Sequence, residues 1–374
     1  MAHSLPKGDG IRIQSDRYEL LDALRGVAAL GVLLYHLAWQ MDLERFLFAH
    51  GYLAVDFFFM LSGFVIANAY DDRLRSGAMA VRTFIVARLV RVYPMIFIGT
   101  LVGIAVRVPL MAINVVNETV MGTFGQTIAA LAIVPIVYDA AQGAFRYDFP
   151  INGPIWSLFW ELIANLAYAS MLVKFRPSLR ATALLCLVAA AALTAYALHN
   201  NGVDRALAWQ AGLLRVSFSF FFGTLLWHFR HKVAPISVPV GYLVLTLILI
   251  LACPLLPHIN ALFDVGVILI MFPALVFLAS RHRSEGRARA AFNFLGAVSF
   301  PLYALHGPFL RVLDHMFTIY RWNYGVSLLL MVVLPVVAVV ISYLVLIKID
   351  MPVRRWLRDR TTRTQPRQPA VEPG

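Results

Sequence analysis

Residues 20–41 read LLDALRGVAALGVLLYHLAWQM, a run apolar and long enough to cross a bilayer as a helix, yet it carries Arg25 and His36. At 100° per residue, the eleven positions between them amount to about 1100°, roughly 20° from three full turns, so both side chains fall on one helix face. At about 1.5 Å per residue they stand roughly 16 Å apart along the axis. One polar stripe thus joins a guanidinium near one membrane surface to an imidazole towards the other. Ionisable groups inside a span point to function; the plainer alternatives are an arginine snorkelling to the interface and a histidine bonded to a neighbouring helix.

The chain of 374 residues is 60% hydrophobic and 14% charged, with a mean hydropathy of +0.74. These values exclude an ordinary soluble domain and indicate a polytopic membrane protein. Residues 1–19 are polar, and the first apolar run is too long and too charged for a signal-peptide core, so insertion is expected to rest on the spans themselves. In a soluble protein the net charge of +12 would suggest nucleic acid. Here the basic residues cluster in loops on one side of the membrane, and no nucleic-acid partner is expected. Cys186 and Cys253 have neither metal-ligand nor redox spacing, and no metal site is expected.

Further spans are expected at 51–70, about 92–106, 154–174, 181–198, 209–229, 238–256, 261–280, 292–316 and 325–349. The stretch 71–94 holds Arg73, Arg75, Arg82, Arg88 and Arg91, while Lys174, Arg176 and Arg180 follow the span that begins at Pro154, so both regions read as cytoplasmic. Residues 107–153 then lie outside. Their one apolar run, 127–138, is broken by Pro135 and too short to cross, which makes it a re-entrant or interfacial element. The expectation is an all-α polytopic membrane protein with about ten transmembrane helices plus that one element, both termini cytoplasmic. Most of the 32 Lys and Arg residues fall on the cytoplasmic side of this scheme. Residues 1–17 form a polar cytoplasmic tail, 18–350 the transmembrane domain, and 351–374 a basic, then Pro-rich cytoplasmic tail expected to be disordered beyond Arg363.

Orientation gives depth. His36, Asp56 and Glu161 each stand six or seven residues from the outer end of their span, which is roughly 9 to 11 Å below the outer surface. Asn165 follows Glu161 by one turn on the same face, Ser157 precedes it by one, and His306 in SFPLYALHGP is also in an outer half. Such a layer suits acid/base chemistry, because a histidine whose basicity a carboxylate raises can take a proton from a hydroxyl. The competing reading pairs each group elsewhere as helix-to-helix glue. On the inner side, Arg88 and Arg91 share a face just before Tyr93-Pro94 and, with Arg25, make a basic funnel for phosphates; the alternative is positive-inside charge touching lipid headgroups.

Arg25 with ten residues before His36, FFFMLSGFVI at 57–66, Arg88-x-x-Arg91 ahead of Tyr93-Pro94, IWSLFWEL around Glu161 and FPLYALHGP around His306 occur in an order and spacing that resemble the membrane-bound acyltransferase 3 family, over about residues 18–350. The resemblance implies an integral-membrane O-acyltransferase, multi-pass in the cell inner membrane. Its reaction moves an acyl group, usually acetyl, from cytoplasmic acyl-CoA to a hydroxyl of a carbohydrate or glycan acceptor. Acyl-CoA is then a donor substrate, and no permanently bound cofactor is implied. On this reading His36 and Glu161 are catalytic, His36 as general base or transient acyl carrier with Glu161 orienting or charging it. Arg25, Arg88 and Arg91 bind the donor, with Asp56, Ser157, Asn165 and His306 in support. Some relatives carry a fused extracytoplasmic hydrolase-like domain. Here acceptor handling is expected to fall to the membrane domain or to a separate extracytoplasmic helper protein. The same polar residues would also serve a proton-coupled transporter or flippase, or a structural partner in a glycan-assembly complex.

Overall fold

Hydropathy and small residues together determine how this chain packs. A computed structural model describes residues 18–43, 46–113, 119–140, 144–204, 208–232, 238–282, 286–320 and 324–363. The first three helices are α1 (Glu19–Gln40), α2 (Ala54–Arg75) and α3 (Val81–Ala112). A short α4 (Val120–Leu131) leads into an antiparallel hairpin of β1 (Ile136–Ala140) and β2 (Ala144–Asp148), in which Ile136 pairs with Asp148. There follow α5 (Ile155–Lys174), α6 (Leu179–Asn200), α7 (Trp209–Phe229) and α8 (Val240–Ala252). A π-helical turn, Val267–Met271, joins α9 (Asn260–Gly266) to α10 (Phe272–Ala279) as one continuous rod. Last come α11 (Gly286–Tyr320), α12 (Tyr324–Val345) and, after a second π-helical turn, α13 (Met351–Arg363).

Among the described residues, 8 helical rods are long and apolar enough to cross a membrane. The two remaining expected spans correspond to α8, whose 13 residues reach about 20 Å, and to the 35-residue α11. One expectation is corrected. The run 127–138 is not one element: a left-handed turn at Ile133 and then Pro135 end the helix, and β-branched Ile136 and Val137 pass into a strand, so the fold includes a hairpin beside its helices. The basic part of the C-terminal tail, residues 351–363, continues the last rod as α13, and the part expected to be disordered, beyond Arg363, lies outside the described residues.

The centre is built from α1, α2 and α7, whose apolar windows are mostly buried, while α3, α6 and α12 keep broad apolar faces outward, as in Leu187 and Val332. Close approach at the centre depends on glycine. A Cβ on Gly63 of α2 would strike the Phe220 carbonyl of α7, and one on Gly223 of α7 would strike the Met60 carbonyl of α2. Against α11, Gly26 of α1 meets Leu295 and Gly296 meets Asp22, with an added Cβ at 2.7 and 2.6 Å respectively. These contacts bring α1, α2, α7 and α11 near enough for their polar side chains to share an interior.

Candidate active site

α1 turns the face bearing both Arg25 and His36 towards α11. Arg25 donates to Ser299 Oγ and to the Gly296 carbonyl, each at 3.0 Å, and is paired with Asp22 at 2.8 Å. His36 lies against His306, with ring centroids 5.1 Å apart. Its Nδ1 is 2.9 Å from the Val32 carbonyl. A carbonyl oxygen only accepts, so this nitrogen carries the proton and Nε2 keeps its lone pair.

A cavity of about 250 Å³ opens beside Arg25. Arg25, Arg88 and Arg91 all line it, together with Ser157, Glu161 and Tyr303. Along α2 its wall runs from Val55 to Tyr70, a reach of about 22 Å. Arg91 is exposed and Arg88 is buried. Arg88 Nη2 donates to Glu161 Oε1 at 3.1 Å, and Ser62 Oγ donates to the same oxygen at 2.6 Å. Arg88 Nε is buried with no partner among the described residues.

Away from the arginines, the cavity wall includes a pair of hydroxyls. Ser157 Oγ and the Tyr303 phenol are 2.6 Å apart, and the Tyr303 ring is 5.4 Å from that of His306. His306 Nδ1 donates to the Tyr303 carbonyl at 2.6 Å, and its Nε2 is buried without a partner among the described residues. The cavity thus runs from the arginines to Ser157 and Tyr303, while His306, against Tyr303, and His36, against His306, are not among the residues lining it.

His36, Asp56 and Glu161 do not form one cluster. Glu161 serves Arg88, as described. Asp56 takes Arg215, whose Nε and Nη2 reach it at 2.7 to 3.2 Å, and both side chains are fully buried. Among the described residues no carboxylate hydrogen-bonds the His36 ring. Asn165 bonds back to the Glu161 carbonyl at 2.8 Å and is not among the residues lining the cavity. Near His36, in the loop after α6, Asp204 accepts from the Tyr35 phenol at 3.0 Å.

The acyltransferase-domain family model matches residues 18–347. The chain belongs to the acyltransferase 3 family. This acyltransferase is 31% identical over 187 residues to "Protein 2 in picA locus" of Rhizobium radiobacter, a match covering 48% of the chain and 93% of that relative. It is 35% identical over 82 residues to proteins of Staphylococcus aureus strains COL and MSSA476 that are named provisionally as O-acetyltransferases. That match covers 21% of the chain and 12% of those longer proteins. No solved structure matches the acyltransferase.

Three residues in or around the candidate site escape sequence reasoning. Tyr303 reads as an ordinary aromatic, although its place three residues before His306 puts both on one face. Arg215 stands alone in an apolar helix without a visible counter-charge nearby in sequence. Asp204 lies in a loop, where carboxylates are common. The signal available for Arg215 was its cost inside a span, which demanded a partner such as Asp56.

Proposed function

We propose that this membrane acyltransferase moves an acyl group, acetyl in the first instance, from acyl-CoA to a hydroxyl of a carbohydrate or glycan acceptor. The observation that supports this most is the convergence of Arg25, Arg88 and Arg91 on a cavity that also reaches the Ser157–Tyr303 pair, beside His306 and His36. The residues present fit the donor. Coenzyme A offers phosphates for the arginines, and the unpartnered Nε of Arg88 is suited to one of them. Between the two ends, Phe58, Phe59, Leu61, Val65 and Ile66 make a mostly apolar wall suited to a thin pantetheine arm. The arginine end faces the cytoplasm in this reading, and the protein is a multi-pass component of the cell inner membrane.

His36 acts as general base. Its Nε2 takes the acceptor proton as the hydroxyl oxygen attacks the thioester carbonyl, and the resulting imidazolium returns that proton to the departing thiolate, so no net proton is released. A transient acyl-imidazole would use the same nitrogen, but the base requires one fewer covalent step. Glu161 acts through Arg88, holding the guanidinium in place for the donor, rather than through His36. Asp204 and Tyr35 stand where an acceptor would approach His36, and a separate extracytoplasmic helper protein would deliver polymeric acceptors from that side.

The test supplies purified protein with labelled acetyl-CoA and a glycan extract. The parent is expected to label the extract, and His36→Ala to lose about 10²–10⁴-fold in rate. A His36→Ala variant as active as the parent would show that this histidine is neither base nor acyl carrier.

A further inference from the structure

Resting on the transfer reaction above, we infer that Tyr303, backed by Ser157, is the group that binds the oxyanion formed when the thioester carbonyl is attacked. Acyl transfer places negative charge on that oxygen in the transition state, and a preorganised donor aimed at it is usually the largest single catalytic contribution. The cavity offers few donors that are not already committed. Ser62 donates to Glu161 at 2.6 Å, and Ser299 donates to the Gly296 carbonyl at 2.7 Å. Arg88 is held by Glu161 through Nη2, its free Nε and the exposed Arg91 are taken by the donor phosphates in the reading above, and Arg25 is held by Asp22 and α11. Tyr70 is near the C-terminal end of α2, the end that carries Arg73 and Arg75. The Ser157–Tyr303 pair remains, buried and beside His306, whose ring in turn lies against His36.

Its hydrogen-bond arithmetic suits the task. Each hydroxyl has one proton, and the pair has one neighbouring carbonyl, that of Pro154, 3.2 Å from Ser157 Oγ. With Tyr303 donating to Ser157, Ser157 can donate to Pro154. With Ser157 donating to Tyr303, the phenol proton is free to point into the cavity, and the serine bond polarises it further. The second arrangement is the one used in the reaction. The acceptor oxygen forms its bond to the carbonyl carbon as His36 takes the hydroxyl proton, and the carbonyl π pair moves to the oxygen facing Tyr303. As the carbon–sulfur bond breaks, that pair returns, and the thiolate takes the proton from the imidazolium. Tyr303 donates a hydrogen bond throughout and transfers no proton.

Steady-state transfer from labelled acetyl-CoA and binding of coenzyme A to the full chain test this together. Tyr303→Phe keeps the ring and removes the donor. It is expected to lower kcat about 10²–10³-fold, with the KM for acetyl-CoA and the affinity for coenzyme A within about twofold of the parent. Ser157→Ala is expected to lower kcat on the order of tenfold, and the double variant to be no slower than Tyr303→Phe alone, because the serine works through the phenol. A Tyr303→Phe protein with the parental kcat overturns the inference, as does one whose loss of rate is matched by loss of coenzyme A binding. A parent that binds coenzyme A but leaves acetyl-CoA intact overturns the transfer reading as well. A parent that transfers beside an equally active Tyr303→Phe overturns this inference alone.

Discussion

Asp56 and Arg215 are each wholly buried, and each leaves an uncompensated charge if the other is removed. Breaking such a pair costs about 3–5 kcal/mol, whereas replacing both partners by apolar groups of similar volume is close to neutral. Asp56→Leu alone is therefore expected to lower the melting temperature of the detergent-solubilised protein markedly. Adding Arg215→Met should recover most of that loss, and a thermal-shift comparison checks both outcomes. At this scale the common face of Arg25 and His36 was readable because helical periodicity is rigid over eleven residues. The partner of Glu161 was not. Counting residues from a span end gives depth but not the direction around the helix, and Glu161 pairs with Arg88 rather than with His36. Tyr303 stayed hidden for a different reason: its hydroxyl becomes notable only once α5 brings Ser157 beside it.

Between elements, the crossing of α2 and α7 depends on two glycines, each meeting backbone of the opposite helix. A carbonyl cannot step aside as a flexible side chain can. Gly63→Val is therefore expected to cost well over the roughly 1–3 kcal/mol of ordinary overpacking and to deplete folded protein in size-exclusion chromatography. Gly266→Ala, where an added Cβ meets nothing within 4 Å, should be neutral or gain about 0.5–1 kcal/mol from helix propensity. Equal behaviour of the two variants would remove close approach as the reason for Gly63. The long helices were legible because hydropathy is summed over many residues. The hairpin of β1 and β2 was not, because its strands are 5 residues each and mix apolar with charged side chains, as in AFRYD at 144–148. The limit of α4 was marked in sequence by Pro135, and the left-handed Ile133 that completes the turn leaves no sequence signature.

Across the whole molecule, charge and chemistry are arranged along one direction. The arginines that line the cavity sit at the end carrying the basic stretch of residues 71–94, and the two imidazoles sit towards the other end. Loop charge made that polarity readable from sequence, whereas the cavity joining the two ends depends on helix packing that no local pattern encodes. In the proposed reaction a donor entering among Arg88 and Arg91 is used at His36 by an acceptor arriving from the opposite face. Sealed vesicles of known orientation test it directly, because acetyl-CoA does not cross a bilayer unaided. Label should reach an acceptor enclosed on the His36 side only when acetyl-CoA is supplied on the face bearing Arg88 and Arg91. Transfer of equal rate with donor on either face, or only with donor on the His36 face, would contradict the account.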